Sequence, residues 1–162
     1  HRADDIFTSL RIAKEFGVGI TLDHCTDGHL IADELAKEQR PCLVGPTFGS
    51  KSKFELKNKC WETPKALVES GVKVAIITDA PVIPLKYLPL CAGLAIEAGL
   101  NEEDAWRAVT INPAEITGIG HRVGSLEAGK DADICIYQGN PLADMQCKTL
   151  YTIIDGEIVY QA

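Results

Sequence analysis

The stretch TLDHCTDGH, residues 21–29, gathers His24, His29, Asp23, Asp27 and Cys25 into one short segment. Imidazole, carboxylate and thiol are the side chains that bind divalent metals and move protons near neutral pH. A further carboxylate, Asp79, follows the apolar run VAIIT. An unpaired charge buried behind such a run is costly, which makes Asp79 a candidate for chemistry. The plain alternative is that it caps the next helix or bonds nearby backbone. His24, just past an apolar strand, has its own plain alternative as a satisfied histidine near the core. The remaining members of the segment have simpler readings. Cys25 is packing, and Thr26 or Asp27 caps a following helix. Asp23 sits in a solvated loop, and His29 takes a surface or capping position. His121 falls at a segment boundary and reads as structural. No GxSxG elbow and no GxGxxG or GxxxxGK[ST] loop occurs, so a serine hydrolase or phosphate cradle is not indicated. Metal-assisted or His/Asp acid–base chemistry is what remains.

Elements far apart in sequence have to position these groups. Residues 3–16, ADDIFTSLRIAKEF, place Ile6, Leu10, Ala13 and Phe16 at helical spacing, with Asp4 and Asp5 at the start and Gly17 as a stop. GVGITL reads as a buried strand that ends at the quoted segment, and a helix is expected over about 27–39 with Leu30, Ile31, Leu35 and Ala36 inward. PCLVGPTF is a second strand. TPKALVES is a helix with Thr63 as cap, Pro64 at its first position and Gly71 closing it. VKVAIITDAP is a third strand, apolar enough for both faces to be covered. Helices follow over about 88–98, over NEEDAWRAVT with Asn101 as cap, and over NPAEITG. Alternation of this kind predicts an α/β fold with a parallel sheet, whose site lies at the carboxyl ends of the strands. His24 and Asp79 are both strand-end residues in that arrangement. Beyond a boundary near Gly120 the character changes to short β-rich runs, with IIDGEIVY as an Asp-Gly hairpin.

Composition excludes several classes. The 162 residues are 46% hydrophobic and 24% charged, with net charge −7 and an isoelectric point near 5.1. An acidic balance does not favour nucleic acid or an anionic membrane as partner. Lys51, Lys53, Lys57 and Lys59 read as a solvated loop. No apolar run approaches the ~20 residues of a membrane helix. Six cysteines without a CxxC pair, several in apolar runs, suit a reducing cytoplasm and not a disulfide scaffold.

Three motifs in order then resemble the C-terminal half of a metal-dependent amidohydrolase of the imidazolonepropionase-like branch. They are ITLDHCTDGH, TDAPVIP and AVTINPAEITGIGHRVGSLEAGKDADICIYQGNPL, the last, from Ala108 to Leu142, being the most specific. The resemblance implies the C-terminal part of a (β/α)8 TIM-type barrel over residues 1–120. The C-terminal strands of a small composite β-sandwich follow over residues 121–162. It implies a small-molecule substrate and one or two divalent ions, zinc or iron foremost. By that likeness Asp79 corresponds to the strand-eight aspartate, which binds metal and takes a proton from the attacking water. His24 corresponds to the strand-six histidine, which binds a second metal or the substrate. His1 falls at the end of a strand-five His-x-His pattern and is a further metal candidate. Arg2 stands where imidazolonepropionase carries an acidic residue.

The activity implied is hydrolysis of a carbon–nitrogen bond in an amide or cyclic amide. A prolidase-like dipeptidase is the alternative within the class, and a non-catalytic structural or interaction protein the alternative outside it. The pattern's strand-one His-x-His and strand-four element are missing, and three or four βα units cannot close a barrel that needs eight. The expectation is an incomplete fragment of a protein of roughly 400 residues, beyond the size of a bare barrel. Such a fragment is expected to be inactive alone, and to associate, as a homo-oligomer or otherwise, through unpaired strands.

Overall fold

A computed structural model describes residues 1–162. Helix α1 (Ala3–Phe16) buries Ile6, Leu10 and Ala13, one stripe at helical spacing, and Gly17 ends it in the left-handed conformation. Phe16, expected inward, is 71% exposed, because it lies one helical turn past Ile12 on the outer side. Strand β1 (Leu22–His24) follows, then a 3-10 turn over Gly28–Leu30 and helix α2 (Ala32–Glu38). The single helix expected over 27–39 is therefore divided. Gly28 packs so tightly against Cys25 and Leu67 that a Cβ there would meet both side chains, and Leu30 turns outward at 58% exposure.

Strand β2 (Cys42–Val44), helix α3 (Thr63–Glu69) and strand β3 (Val74–Ile76) complete a parallel sheet ordered β1-β2-β3. The register runs Leu22–Cys42–Val74 at one end and His24–Val44–Ile76 at the other. Each strand is only three residues long, shorter than the apolar runs that carry them, since burial extends beyond the paired ladder. Helices α4 (Leu88–Glu97), α5 (Glu102–Val109) and α6 (Ile111–Ile116) follow. Asn101 caps α5 by accepting the Glu103 N–H at 2.8 Å, as its sequence predicts.

Strands β4 (Ile134–Gln138), β5 (Lys148–Ile154) and β6 (Glu157–Gln161) form a separate antiparallel sheet. Asp155 and Gly156, at φ +52° and +80°, make the two-residue turn between β5 and β6.

Two apolar clusters hold the parallel part together. One joins α1, β1, α2, β2 and α3 through residues such as Leu10, Leu35, Val44 and Leu67. The other joins β3 to α4 and α5 and includes Leu142, from the loop between β4 and β5. The backbone of Leu142 lies directly on Gly93, where a Cβ would collide with its carbonyl. No helix is long and apolar enough to cross a membrane.

Candidate active site

His24 closes β1, and its backbone is contorted. The Cys25 N–H bonds back to the Asp23 carbonyl at 2.9 Å, a γ-turn centred on His24. His24 and Cys25 both have positive φ, +68° and +45°. Non-glycine residues in this region cost of order 1–3 kcal/mol each and cluster at functional sites. The half-buried His24 ring has Nδ1 2.7 Å from the Gly45 carbonyl oxygen. A carbonyl only accepts, so Nδ1 carries the proton, and the neutral ring presents the Nε2 lone pair. The His1 ring stacks on that of His24, with centroids 4.6 Å apart and planes 19° from parallel.

Asp79 lies three residues beyond Ile76, past the end of β3, again at positive φ (+52°). The turn around it is closed by Ile83 N–H to the Thr78 carbonyl at 3.2 Å and Val82 N–H to the Asp79 carbonyl at 2.8 Å. The neighbouring Thr78 is buried, but Asp79 is exposed. The expectation of a buried charge is thus corrected: the chain turns outward after Thr78, and solvent reaches the carboxylate. His24 and Ile76 occupy the same row across the sheet, two strand spacings or roughly 10 Å apart. His1 and His24 are therefore in contact, while Asp79 shares their edge of the sheet without a hydrogen bond to either.

The rest of the histidine-rich segment is arranged differently from expectation. Asp27 caps no helix of its own. One of its buried carboxylate oxygens accepts the Ala3 N–H at 3.1 Å, at the start of α1, and the other accepts Asn58 Nδ2 at 2.9 Å. Thr26 Oγ1 shares a 2.8 Å hydrogen bond with His1 Nδ1. His29 is half-buried, and its Nδ1 lies 3.0 Å from Thr63 Oγ1, with the Cys60 thiol beside the ring. Cys25 is packing, as read: fully buried, with its sulfur 3.6 Å from that of Cys42. The Cys25 thiol and burial together push the Cys42 thiol up. All six cysteines are free, and His121 is exposed.

The lysine-bearing loop after β2 is stitched and not merely solvated. Lys59 Nζ donates to the carbonyls of Phe48 and Gly49 at 3.1 Å and of Ser50 at 3.4 Å. Partial burial, with Lys51 adding repulsion, holds its ammonium below the usual lysine range. Lys51 in turn donates to the Lys57 carbonyl at 2.8 Å. The roles of Gly45, Thr26 and Asp27 escape a sequence reading. The only local signal is Gly45-Pro46, a turn dipeptide at a strand end.

The donor chemistry suits a divalent ion as part of a set. His24 offers an imidazole whose Nδ1 is already engaged, the second-sphere arrangement typical of metal-ligating histidines. Asp79 offers an exposed carboxylate. No group of three or more His, Cys, Asp or Glu side chains converges in the chain, so a closed coordination shell is not assembled from these residues alone.

Comparison with known proteins points in one direction. The model of the amidohydrolase family matches residues 6–159. Imidazolonepropionase of Geobacillus kaustophilus is 42% identical over 98 residues, 59% of this chain and 23% of that protein. Amidohydrolase tasK of Hapsidospora irregularis is 35% identical over 78 residues, 48% of this chain and 8% of that protein. The crystal structure of an amidohydrolase from Thermotoga maritima superposes with a TM-score of 0.96 at 41% identity, over 100% of this chain and 42% of that one. The chain thus spans less than half the length of each, and its α/β fold corresponds to part of a TIM-type barrel enzyme.

Proposed function

The chain belongs to the amidohydrolase family, and from that premise we propose that it contributes His24 and Asp79 to the active centre of a metal-dependent hydrolase of carbon–nitrogen bonds. The observation that carries this reading is the pair of contorted, non-glycine strand ends. His24 and Asp79 both leave the same edge of one parallel sheet at positive φ. That edge is where barrel enzymes concentrate their chemistry, and strain kept at two such positions is the mark of a site.

A divalent ion, when bound, lowers the pKa of a coordinated water and so supplies the nucleophile near neutral pH. This chain's residues do the remaining work. The exposed Asp79 carboxylate takes the proton of the attacking water and can return it to the leaving nitrogen. His24 points its Nε2 lone pair at the ion or, in the protonated state, steadies the oxyanion that forms on the attacked carbonyl. His1 is the further candidate ligand this chain offers, and the donors missing here come from the other strands of the barrel. Zinc or iron suits imidazole and carboxylate donors, with one or two ions in the complete centre. Residues 1–120 are assigned to the barrel and 121–162 to the β-sandwich segment. Six free cysteines fit a reducing cytoplasm.

The likeness to imidazolonepropionase over 98 residues favours a ring amide over a peptide bond as the small-molecule substrate. The test is Asp79→Asn in the full-length protein, assayed on ring amides and dipeptides. Loss of about 10²–10⁴-fold in kcat with KM retained is expected for removal of a proton acceptor. Full retention of kcat would overturn the assignment.

A further inference from the structure

The segment that carries His24 also grips the residue stacked on it. Three ties reach back from the loop after β1 to the residues before α1. Thr26 Oγ1 bonds His1 Nδ1 at 2.8 Å, the Asp27 N–H donates to the His1 carbonyl at 2.9 Å, and the Asp27 carboxylate accepts the Ala3 N–H at 3.1 Å. Thr26 and Asp27 are buried, at 6% and 7% exposure, so these bonds are sheltered from water. Asn58 occupies the other Asp27 oxygen at 2.9 Å and keeps that carboxylate from turning. Both the backbone and the ring of His1 are thereby fixed to a loop that starts at His24 itself.

We infer that Thr26 and Asp27 are positioning residues: they lock the His1 imidazole as a plate against His24, so that His24 keeps one ring orientation. The inference deepens the hydrolase reading and rests on it. His24 has a single hydrogen bond through its ring, to the Gly45 carbonyl. One bond at Nδ1 leaves rotation about the donor–acceptor axis free, and a stacked ring 4.6 Å away removes that freedom. The plate is useful only if it is itself held. Whichever His1 nitrogen carries the proton, the Thr26 hydroxyl can serve as partner, since it both donates and accepts. A buried isosteric residue without the hydroxyl would leave Nδ1 unpaired and the plate loose.

The test is Thr26→Val, which keeps the shape and removes the hydroxyl, beside Thr26→Ser, which keeps the hydroxyl. Each is made in the full-length protein. Carbethoxylation by diethyl pyrocarbonate, mapped by mass spectrometry, reads the exposure and freedom of each histidine, with exposed His121 as internal reference. In the valine variant His1 should react several-fold faster while His121 is unchanged. There kcat should fall about 10–100-fold, the usual cost of losing an outer-shell partner, with KM little changed. Serine should restore both. An unchanged His1 rate in a folded valine variant overturns the inference, and so does a freed His1 with wild-type kcat. Should valine prevent folding, His1→Ala removes the plate directly, and wild-type kcat in that variant overturns it equally. If the wild-type protein hydrolyses no amide, the hydrolase reading fails, yet the modification rates still decide whether Thr26 holds His1.

Discussion

A histidine is useful in catalysis only when one nitrogen is assigned a job and the other is left for the substrate or metal. Here Gly45 makes that assignment for His24, and it does so with a backbone carbonyl that no side-chain substitution can remove directly. The carbonyl is in place because Gly45 sits at φ +141° and passes so close to Ile77 that a Cβ would run into that residue's carbonyl. Gly45→Ala should therefore both destabilise the protein and unseat His24. Strain at such a φ is worth about 1–3 kcal/mol before the collision is counted. A lowered urea midpoint with unchanged m-value, together with a loss in kcat, is the expected result. An alanine variant of wild-type stability would show that the backbone here relaxes without consequence, and the tautomer argument would lose its support.

At the level of elements, the strand that ends in Asp79 is steadied from its unpaired side. The Cys42 N–H takes the Lys73 carbonyl, so the next carbonyl of the strand, that of Val74, points away from β2. Buried Asn112, in the first turn of α6, donates its amide to that oxygen at 2.8 Å. Asn112→Ala would strand a buried carbonyl and cost about 1–3 kcal/mol, read as a shift in the denaturation midpoint; no shift would mean that water reaches Val74. Much of this architecture is legible in the residues. Helix α1 declares itself by Ile6, Leu10 and Ala13, and the β5–β6 hairpin by Asp155-Gly156, because local spacing and turn chemistry determine both. The strand-end positions of His24 and Asp79 follow from the apolar runs before them. What stays hidden is set by contacts across the fold. The division of the 27–39 helix depends on Gly28 meeting Leu67, the exposure of Asp79 on the turn after Thr78, and the grip of Thr26 on His1 on a partner 25 positions away. None of these leaves a periodic trace in the chain.

On the scale of the whole molecule, the two sheets leave four edges open. β1 and β3 each have one hydrogen-bonded neighbour, and so do β4 and β6. Helix α1 adds a second apolar stripe on its outer side, with Ile12 at 44% and Phe16 at 71% exposure. Ordinary helices of soluble proteins keep that side polar. Strand β6 is exposed on both faces, with Ile158 and Tyr160 on one and Val159 on the other. Unpaired, apolar and uncharged edge strands are templates for pairing with another chain. The 162-residue polypeptide expressed by itself should accordingly elute from a sizing column well above its 17.5 kDa. Charge placed on the open strand should reverse this, since a lysine facing a second copy of itself across a shared edge is repelled. Ile158→Lys with Tyr160→Lys is the variant to compare, and its elution should move toward the monomer while β4–β5 pairing persists in the circular dichroism. A stable, compact wild-type monomer would mean that these edges are blunted by the bulges at Ile136/Tyr137 and Thr152/Ile153; those irregularities twist a strand away from regular pairing.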